Sequence, residues 1–155
     1  MTGPYTRGDS YSSEASRKQI RRALEHYGAT DIVFGQRGSL GAVAFKGDGR
    51  QYRIVMHLLL SEGAFAVRSD IADGQLRDAK AKVLEQTNRK SWQALASAID
   101  AKLGAAAAGI ATLESEFLAH VVLPGNNTVY EEMEPVIDSA YRSGQRPLFG
   151  SPSLP

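Results

Sequence analysis

The histidines and carboxylates of this chain offer little for catalysis. Of the three histidines, His26, His57 and His120, the last stands four residues after Glu116. A helix would place Glu116 and His120 on one face, as in half of a metal site, but a metal centre needs at least one further ligand there. A surface ion pair therefore explains this spacing better than a metal site.

Sequence motifs for phosphate binding and nucleophilic catalysis are missing. The chain has no GxxxxGK[ST] loop, no GxGxxG after a strand and no Gly-x-Ser-x-Gly elbow. It contains no cysteine, which excludes disulfides, thiolate zinc ligands and a cysteine nucleophile. Asp31, Asp48 and Glu62 form no evident carboxylate pair for two-metal hydrolysis. We therefore expect no enzymatic activity, no cofactor and no metal.

Basic side chains offer a different chemistry, because clustered Lys and Arg bind phosphate. In the first predicted helix, Arg17 with Arg21 and Lys18 with Arg22 form two rows at i, i+4 spacing opposite the apolar stripe. Like charges in such rows repel one another, and phosphate would offset that cost. The alternative is a solvated face that nearby glutamates partly neutralise.

A second basic cluster surrounds the dipeptide Asp48-Gly49, a strong signal for a β-hairpin turn. Its members are Lys46, Arg50 and Arg53. A β-ribbon with these charges could follow a nucleic-acid backbone. Equally, the charges could protect an edge strand from pairing with other chains.

The predicted elements that position these residues begin with a helix over Ser13–Tyr27, which Gly28 ends. The hydrophobic period then changes to two, and the Gly38-Ser39 and Asp48-Gly49 turns separate three strands. A long helical region follows, and Gly109 is its expected end. Whether Thr87-Asn88 breaks this region stays open.

The sole tryptophan, Trp92, lies on the apolar stripe of that long helical region. A base could stack on it, since Arg89 and Lys90 precede it, but the stripe favours a place in the core.

Two further helices are predicted near the C-terminus. Thr112 is the expected N-cap of one that carries Leu113, Phe117 and Leu118, and the capping box Thr128-Val-Tyr-Glu131 opens the last. Pro135 predicts a kink in the last helix or its restart. The fold class is thus α+β, with an N-terminal helix, a three-stranded antiparallel meander, and three to four helices packed on one sheet face.

The predicted organisation is a flexible leader (1–11), a single α+β domain (12–143) and an extended C-terminal tail (144–155). The segment 61–73 has the least readable pattern, and its Phe65 and Val67 could extend the sheet or form a flap. No apolar run is long enough for a membrane span and the start lacks a signal-peptide pattern, so we expect a cytoplasmic protein. The net charge of +1 favours no class of partner.

The sequence also resembles an uncharacterised family of proteins from tailed bacteriophages and prophages, over about residues 15–148. The residues that carry the resemblance in the second half are Trp92-Gln-Ala-Leu95, Ala101-Lys-Leu103, Gly109-Ile-Ala-Thr112, Glu116-Phe-Leu-Ala-His120, Val122-Leu-Pro124, Thr128-Val129, Tyr141 to Gly144 and Pro147-Leu148. The first half also fits, with a helix leading to Tyr27-Gly-Ala29, then a strand, Phe45 and a basic strand that opens at Arg50. The chain departs from the family at Ala105–Ala108 and Asn126-Asn127. The resemblance implies a role beside phage recombination and replication proteins, by association of genes alone.

Together these observations predict a non-enzymatic phage or prophage accessory protein that binds nucleic acid, in particular single-stranded DNA, in the cytoplasm of the host cell. The predicted binding residues are Arg17, Lys18, Arg21, Arg22, Lys46, Arg50 and Arg53. The alternative is a protein-binding module that inhibits or adapts a host enzyme or defence complex. A third reading is a subunit that self-assembles into a homo-oligomer through its Ala-rich helix.

Overall fold

The structure is a computed structural model that describes residues 4–58 and 73–147. Its elements are α1 Pro4–Tyr27, β1 Thr30–Arg37, β2 Leu40–Gly47, β3 Arg50–His57, α2 Asp73–Ala107, α3 Leu113–Glu116, a 3₁₀ helix Leu118–His120 and α4 Val129–Ser143. This order confirms the predicted α+β fold. Residues 61–72 of the unassigned segment, and residues 148–155 of the predicted tail, lie outside the described residues.

The three strands form an antiparallel sheet in the order β1-β2-β3, as predicted. The β2–β3 turn has positive φ at both central residues, 50° at Asp48 and 78° at Gly49. Both values are those of the hairpin turn that an Asp-Gly pair favours. Gly47 and Arg50 close this turn as paired residues.

Alternate residues of the sheet give it two different faces. The inner face packs against α1 and α2 and carries the buried side chains Val43, Phe45, Tyr52 and Ile54. The outer face consists of the alternate positions between them, which point away from these helices. Helices α1 and α2 also pack against each other, so the core has two layers.

The helix α1 extends beyond the predicted start at Ser13. It begins at Pro4 and therefore takes in most of the residues predicted as a leader. Proline is well tolerated in the first helical turn, where a backbone N–H has no partner to bond. The predicted end is confirmed, because α1 stops at Tyr27 and Gly28 adopts a φ of 108°.

The helix α2 runs without interruption through Thr87-Asn88, which settles the question that the sequence left open. The Ser91 hydroxyl donates to the carbonyl of Thr87, 3.0 Å away, within the continuing helix. From Trp92 onward this helix contributes buried side chains to the core. Its end is as predicted, with Gly109 at a φ of 75°.

The prediction of one helix carrying Leu113, Phe117 and Leu118 is wrong. Thr112 caps a helix as expected, but α3 ends at Glu116 and a separate 3₁₀ helix follows. The physical reason is tertiary packing. Phe117 is fully buried edge-on to Phe45, and the chain then returns to β3, where Val122 donates to the carbonyl of Gln51 at 2.8 Å.

The last helix, α4, starts at the predicted capping box. Thr128 Oγ1 accepts from the backbone of Glu131, whose side chain accepts from the backbone of Thr128 in return. The helix continues through Pro135, so it does not restart there. Its main contact is the 3₁₀ helix rather than the sheet.

We expect Gly41→Ala to destabilise the protein by about 1–3 kcal/mol, because buried space at this position is already full. A Cβ on residue 41 would lie 3.0 Å from Cζ2 of the buried Trp92 ring and 3.2 Å from Met56 Cε. Urea unfolding measures the change. The matched control is Gly35→Ala in β1, where a Cβ would meet nothing within 4 Å. Equal stability of the two variants would contradict this packing.

Candidate nucleic-acid interface

The structure divides the seven predicted cations among three places. Arg17 and Arg21 lie over the β1 edge of the sheet, Lys18 and Arg22 line a groove between α1 and α2, and Lys46, Arg50 and Arg53 lie on β2 and β3. The four cations of α1 therefore do not share one face.

Arg17 and Arg21 make contacts within the fold. The Arg17 guanidinium lies 4.6 Å from the centre of the Trp92 ring, and its Nη2 donates to Gln36 Oε1 at 3.1 Å. The Arg21 guanidinium lies 5.3 Å from the centre of the Phe34 ring. A cation over an aromatic face stabilises the fold by about 0.5–2 kcal/mol. These two arginines are thus explained by the packing of α1 on the sheet.

Lys18 and Arg22 line the open groove between α1 and α2, which has a volume of about 1090 Å³. His26 continues their row one turn further along α1. The opposite wall comes from α2 and contains Asp100 and Gly104. Lys18 and Arg22 are exposed and form no ion pair with any residue in the described parts of the chain.

Glu14 and Asp100 also line this groove, so it is not uniformly basic. The carboxylate of Asp100 accepts a hydrogen bond from Gln19 Nε2 at 2.5 Å, which links the two walls. The positive charge of the groove therefore lies on the α1 wall, at Lys18 and Arg22, which follow Glu14 along the helix.

A second depression, of about 440 Å³, lies at the β2–β3 hairpin. Its lining includes Gly28, Lys46 and Arg50. Lys46 Nζ is 3.2 Å from Asp31 Oδ2, whereas the exposed Arg50 forms no ion pair among the described residues. Tyr27 lines the groove and the next residue, Gly28, lines this depression, so the groove and the depression are neighbours at the C-terminal end of α1.

Arg53 joins the sheet to the start of α4. Its Nη1 donates to Asn126 Oδ1 at 3.1 Å, and its Nη2 donates to the Asn126 carbonyl at 2.8 Å. Nη2 also lies 3.5 Å from Glu131 Oε2. These contacts account for Arg53 without a ligand.

Sequence reasoning missed His26 and Tyr27 as groove residues. The signal for His26 was present, since it lies four residues after Arg22 in the same helical row. Tyr27 was assigned to the apolar stripe, and it is indeed half-buried while also lining the groove.

The helical spacing of Glu116 and His120 does not place them on one face, because the α-helix ends at Glu116. Glu116 Oε2 lies 3.6 Å from Lys102 Nζ, which also donates to the Glu116 carbonyl at 3.0 Å. Burial, and secondly the Lys102 ammonium, hold the pKa of His120 below its ordinary value of 6.5. In residues 4–58 and 73–147, no three His, Asp or Glu side chains are grouped to hold a metal ion.

Trp92 belongs to the core, as its stripe predicts. It is fully buried and lies edge-on to Phe34, with ring centres 6.0 Å apart. A base therefore has no access to its ring.

Known proteins give no further information about this groove. The chain matches none of the protein-family models, curated proteins or solved structures compared with it. The resemblance to a phage family stays a prediction. None of the described helices combines the length and apolar character needed to cross a lipid bilayer.

We expect Arg17→Ala and Lys18→Ala to differ in stability although the residues are adjacent. Loss of the Arg17 guanidinium should lower the free energy of unfolding by about 1 kcal/mol, because its contact with Trp92 is removed. Lys18→Ala should stay within about 0.5 kcal/mol of the parent, as is usual for an exposed side chain. Urea unfolding followed by Trp92 fluorescence measures both. Indistinguishable unfolding curves would show that Arg17 does not support the core.

We expect the free energy of unfolding to fall as pH is lowered through 6.5, with a contribution from His120. Its pKa is depressed in the folded state, so the unfolded state binds the proton more tightly and acid favours unfolding. This stabilisation is complete above the pKa that His120 has in the unfolded chain. It is lost progressively as the pH falls from there through the lower pKa of the folded state. His120→Gln should reduce the slope between about pH 5 and pH 7 in chemical denaturation. An unchanged slope would remove His120 as a source of acid sensitivity.

Proposed function

We propose that this protein is a non-enzymatic phage or prophage accessory protein that binds single-stranded DNA in recombination or replication. The observation that carries the proposal is the course of three exposed cations, Lys18, Arg22 and Arg50. Two lie along the α1 wall of the groove, and the third lies at the neighbouring hairpin depression. None of the three is neutralised by an ion pair in the described residues.

The groove suits a single strand for two physical reasons. Lys18 and Arg22 are four residues apart on α1 and therefore about 6 Å apart along its axis, so a flexible backbone can follow them. The groove lining also includes the exposed imidazole of His26 and the ring of Tyr27, which is half-buried against the core. Proteins that bind single strands combine a positive groove with rings on which bases stack.

The number of available cations predicts modest, salt-sensitive affinity. Each phosphate contact to a single strand contributes about −0.7 to the slope of log affinity against log salt. Three such contacts give a slope of about −2. The net charge of +1 adds little long-range attraction.

The non-enzymatic part of the proposal rests on the sequence, which lacks the phosphate-loop and nucleophile motifs of common enzyme classes. The phage context and the cytoplasmic location rest on the resemblance and on the sequence pattern alone.

The test is fluorescence anisotropy with labelled single- and double-stranded oligonucleotides at low and moderate salt. The binding variant carries Lys18→Ala, Arg22→Ala and Arg50→Ala. The matched control also loses three exposed positive charges, through Lys82→Ala, Lys90→Ala and Arg146→Ala, which lie outside the groove and the hairpin depression. We expect the binding variant to lose at least tenfold in affinity for the single strand and the control to bind like the parent.

Two results would overturn the proposal. One is the absence of binding at low salt by the parent protein. The other is an equal loss in both variants, which would mean that affinity follows net charge and not this groove.

A second candidate function is a protein-binding module that inhibits or adapts a host enzyme or defence complex. The observation that favours it is the exposure of apolar side chains on the outer face, where Val33 is 61% and Val55 41% exposed. Apolar surface of this kind is typical of contacts between proteins. A pull-down from nuclease-treated host lysate, repeated with Val55→Asp, tests it. This second function is contradicted if the parent protein recovers no host protein in an amount that rises with the amount of parent protein used. It is also contradicted if the Val55→Asp variant recovers the same host protein as the parent.

A further inference from the structure

One carboxylate interrupts the apolar wall that α2 contributes to the groove. The residues of α2 that line the groove are Asp100, Leu103, Gly104 and Ala107. Asp100 is exposed, and it is the only one of these four with a polar side chain. In a largely apolar site, a few polar groups fix the orientation of the ligand and provide specificity. Asp100 is therefore the group on this wall that can distinguish one ligand from another.

Asp100 is linked to Gln19 on the facing helix. Gln19 Nε2 donates to Asp100 Oδ2 at 2.5 Å. Successive residues of a helix point about 100° apart, so Gln19 lies between the exposed Lys18 and the half-buried Ala23 around α1. The linked pair therefore lies nearer the floor of the groove than Lys18 does.

This arrangement suits the two parts of a nucleotide. Phosphates held by Lys18 and Arg22 would lie along the α1 wall, so the bases would point toward the floor and the α2 wall. The bases of a single strand are unpaired, and their Watson–Crick edges are open to side chains. Asp100 thus lies where the edge of a base can be read.

The carboxylate of Asp100 offers acceptors and no donor. An ionised carboxylate has about four acceptor sites, and the bond from Gln19 uses one of them. Asp100 forms no ion pair with any residue in the part of the chain that the structure describes. Bonding capacity is therefore left for a ligand group that donates, whereas a group that only accepts would be repelled.

Guanine is the base whose open edge fits such a group. Its N1–H and its 2-amino group are adjacent donors, which the two acceptors of a carboxylate can match. In adenine and cytosine the amino donor stands beside a ring nitrogen that accepts, and in thymine the N3–H stands between two carbonyl oxygens. Beside any of these three bases, a carboxylate meets a lone pair as well as a donor. Guanine alone presents two donors side by side.

The negative charge of Asp100 agrees with this reading. Asparagine would keep the link to Gln19, because its side-chain oxygen also accepts a hydrogen bond. A carboxylate beside bound phosphates adds like-charge repulsion, which an asparagine would not. Recognition of two donors is a role that needs the carboxylate, since the asparagine side chain replaces one acceptor with a donor.

We propose that the groove binds guanine in preference to the other bases of a single strand and that Asp100 determines this preference. The Asp100 carboxylate accepts from the N1–H and the 2-amino group of guanine, while Lys18 contacts an adjacent phosphate. This inference rests on the proposed binding of single-stranded DNA and adds the identity of the base that is read.

Fluorescence anisotropy at low salt with three short, labelled oligonucleotides tests the preference. The first contains thymidine alone, the second has one central deoxyguanosine, and the third has deoxyinosine at that place, which lacks the 2-amino group. We expect the parent to bind the guanine oligonucleotide about fivefold more tightly than the thymidine one, because a good contact to a base edge discriminates by at least this factor. The inosine oligonucleotide should lie between them.

Asp100→Asn is the variant that separates base recognition from a purely structural link, since it keeps the bond from Gln19 and the size of the side chain. We expect it to bind the guanine and thymidine oligonucleotides within about twofold of each other. The matched control is Glu14→Gln, which removes the same charge from the same groove. This control should keep the fivefold ratio, whatever the change in overall affinity.

The possible failures are distinguishable. Equal affinity of the parent for the guanine and thymidine oligonucleotides would overturn the base preference and leave single-strand binding in place. A preference that survives Asp100→Asn, or that Glu14→Gln abolishes as well, would also overturn it, because Asp100 would then not be the group that reads the base. If the parent binds none of the three oligonucleotides, this inference and the proposed function fail together.

Discussion

The packing of Trp92 onto Gly41 is the constraint on which the rest of the structure depends. The absence of a side chain at Gly41 lets the indole ring approach the sheet, while Phe34 meets the ring edge-on and Arg17 covers it. One ring thereby joins α2, the inner face of the sheet and α1. Burial of a tryptophan removes about 150–250 Å² from water, equivalent to about 4–6 kcal/mol, which is a large fraction of the stability of a small protein.

The parts of the fold that the sequence predicts are those that neighbouring residues decide. The Asp48-Gly49 turn, the cap at Thr112 and the capping box at Thr128 each depend on a few adjacent residues, and all three are found as expected. The stretch after Thr112 was not predicted correctly. There, burial of Phe117 and the hydrogen bond from Val122 to β3 outweigh helical spacing, and neither partner is close in sequence.

The candidate site shows a similar limit. Residue type identified the cations, but their division into contacts within the fold and open positions on the groove depends on what lies next to α1. Adjacent residues on a helix point about 100° apart, so Arg17 faces the sheet edge while Lys18 faces the groove. Because sequence spacing alone does not place α2 beside α1, it cannot tell these two directions apart. His26 extends the row on the groove side for the same geometric reason.

The polar contacts that attach α4 to the sheet all lie at the N-terminal end of the helix. The Thr128 capping box and the Arg53 contacts hold one end, whereas the other end lies about 22 Å away. Over that length, a tilt of about 10° at the cap displaces the far end by about 4 Å. The contacts of Arg53 with Asn126 therefore act together with the packing of Val129 on the core and of α4 on the 3₁₀ helix to set the direction of this helix.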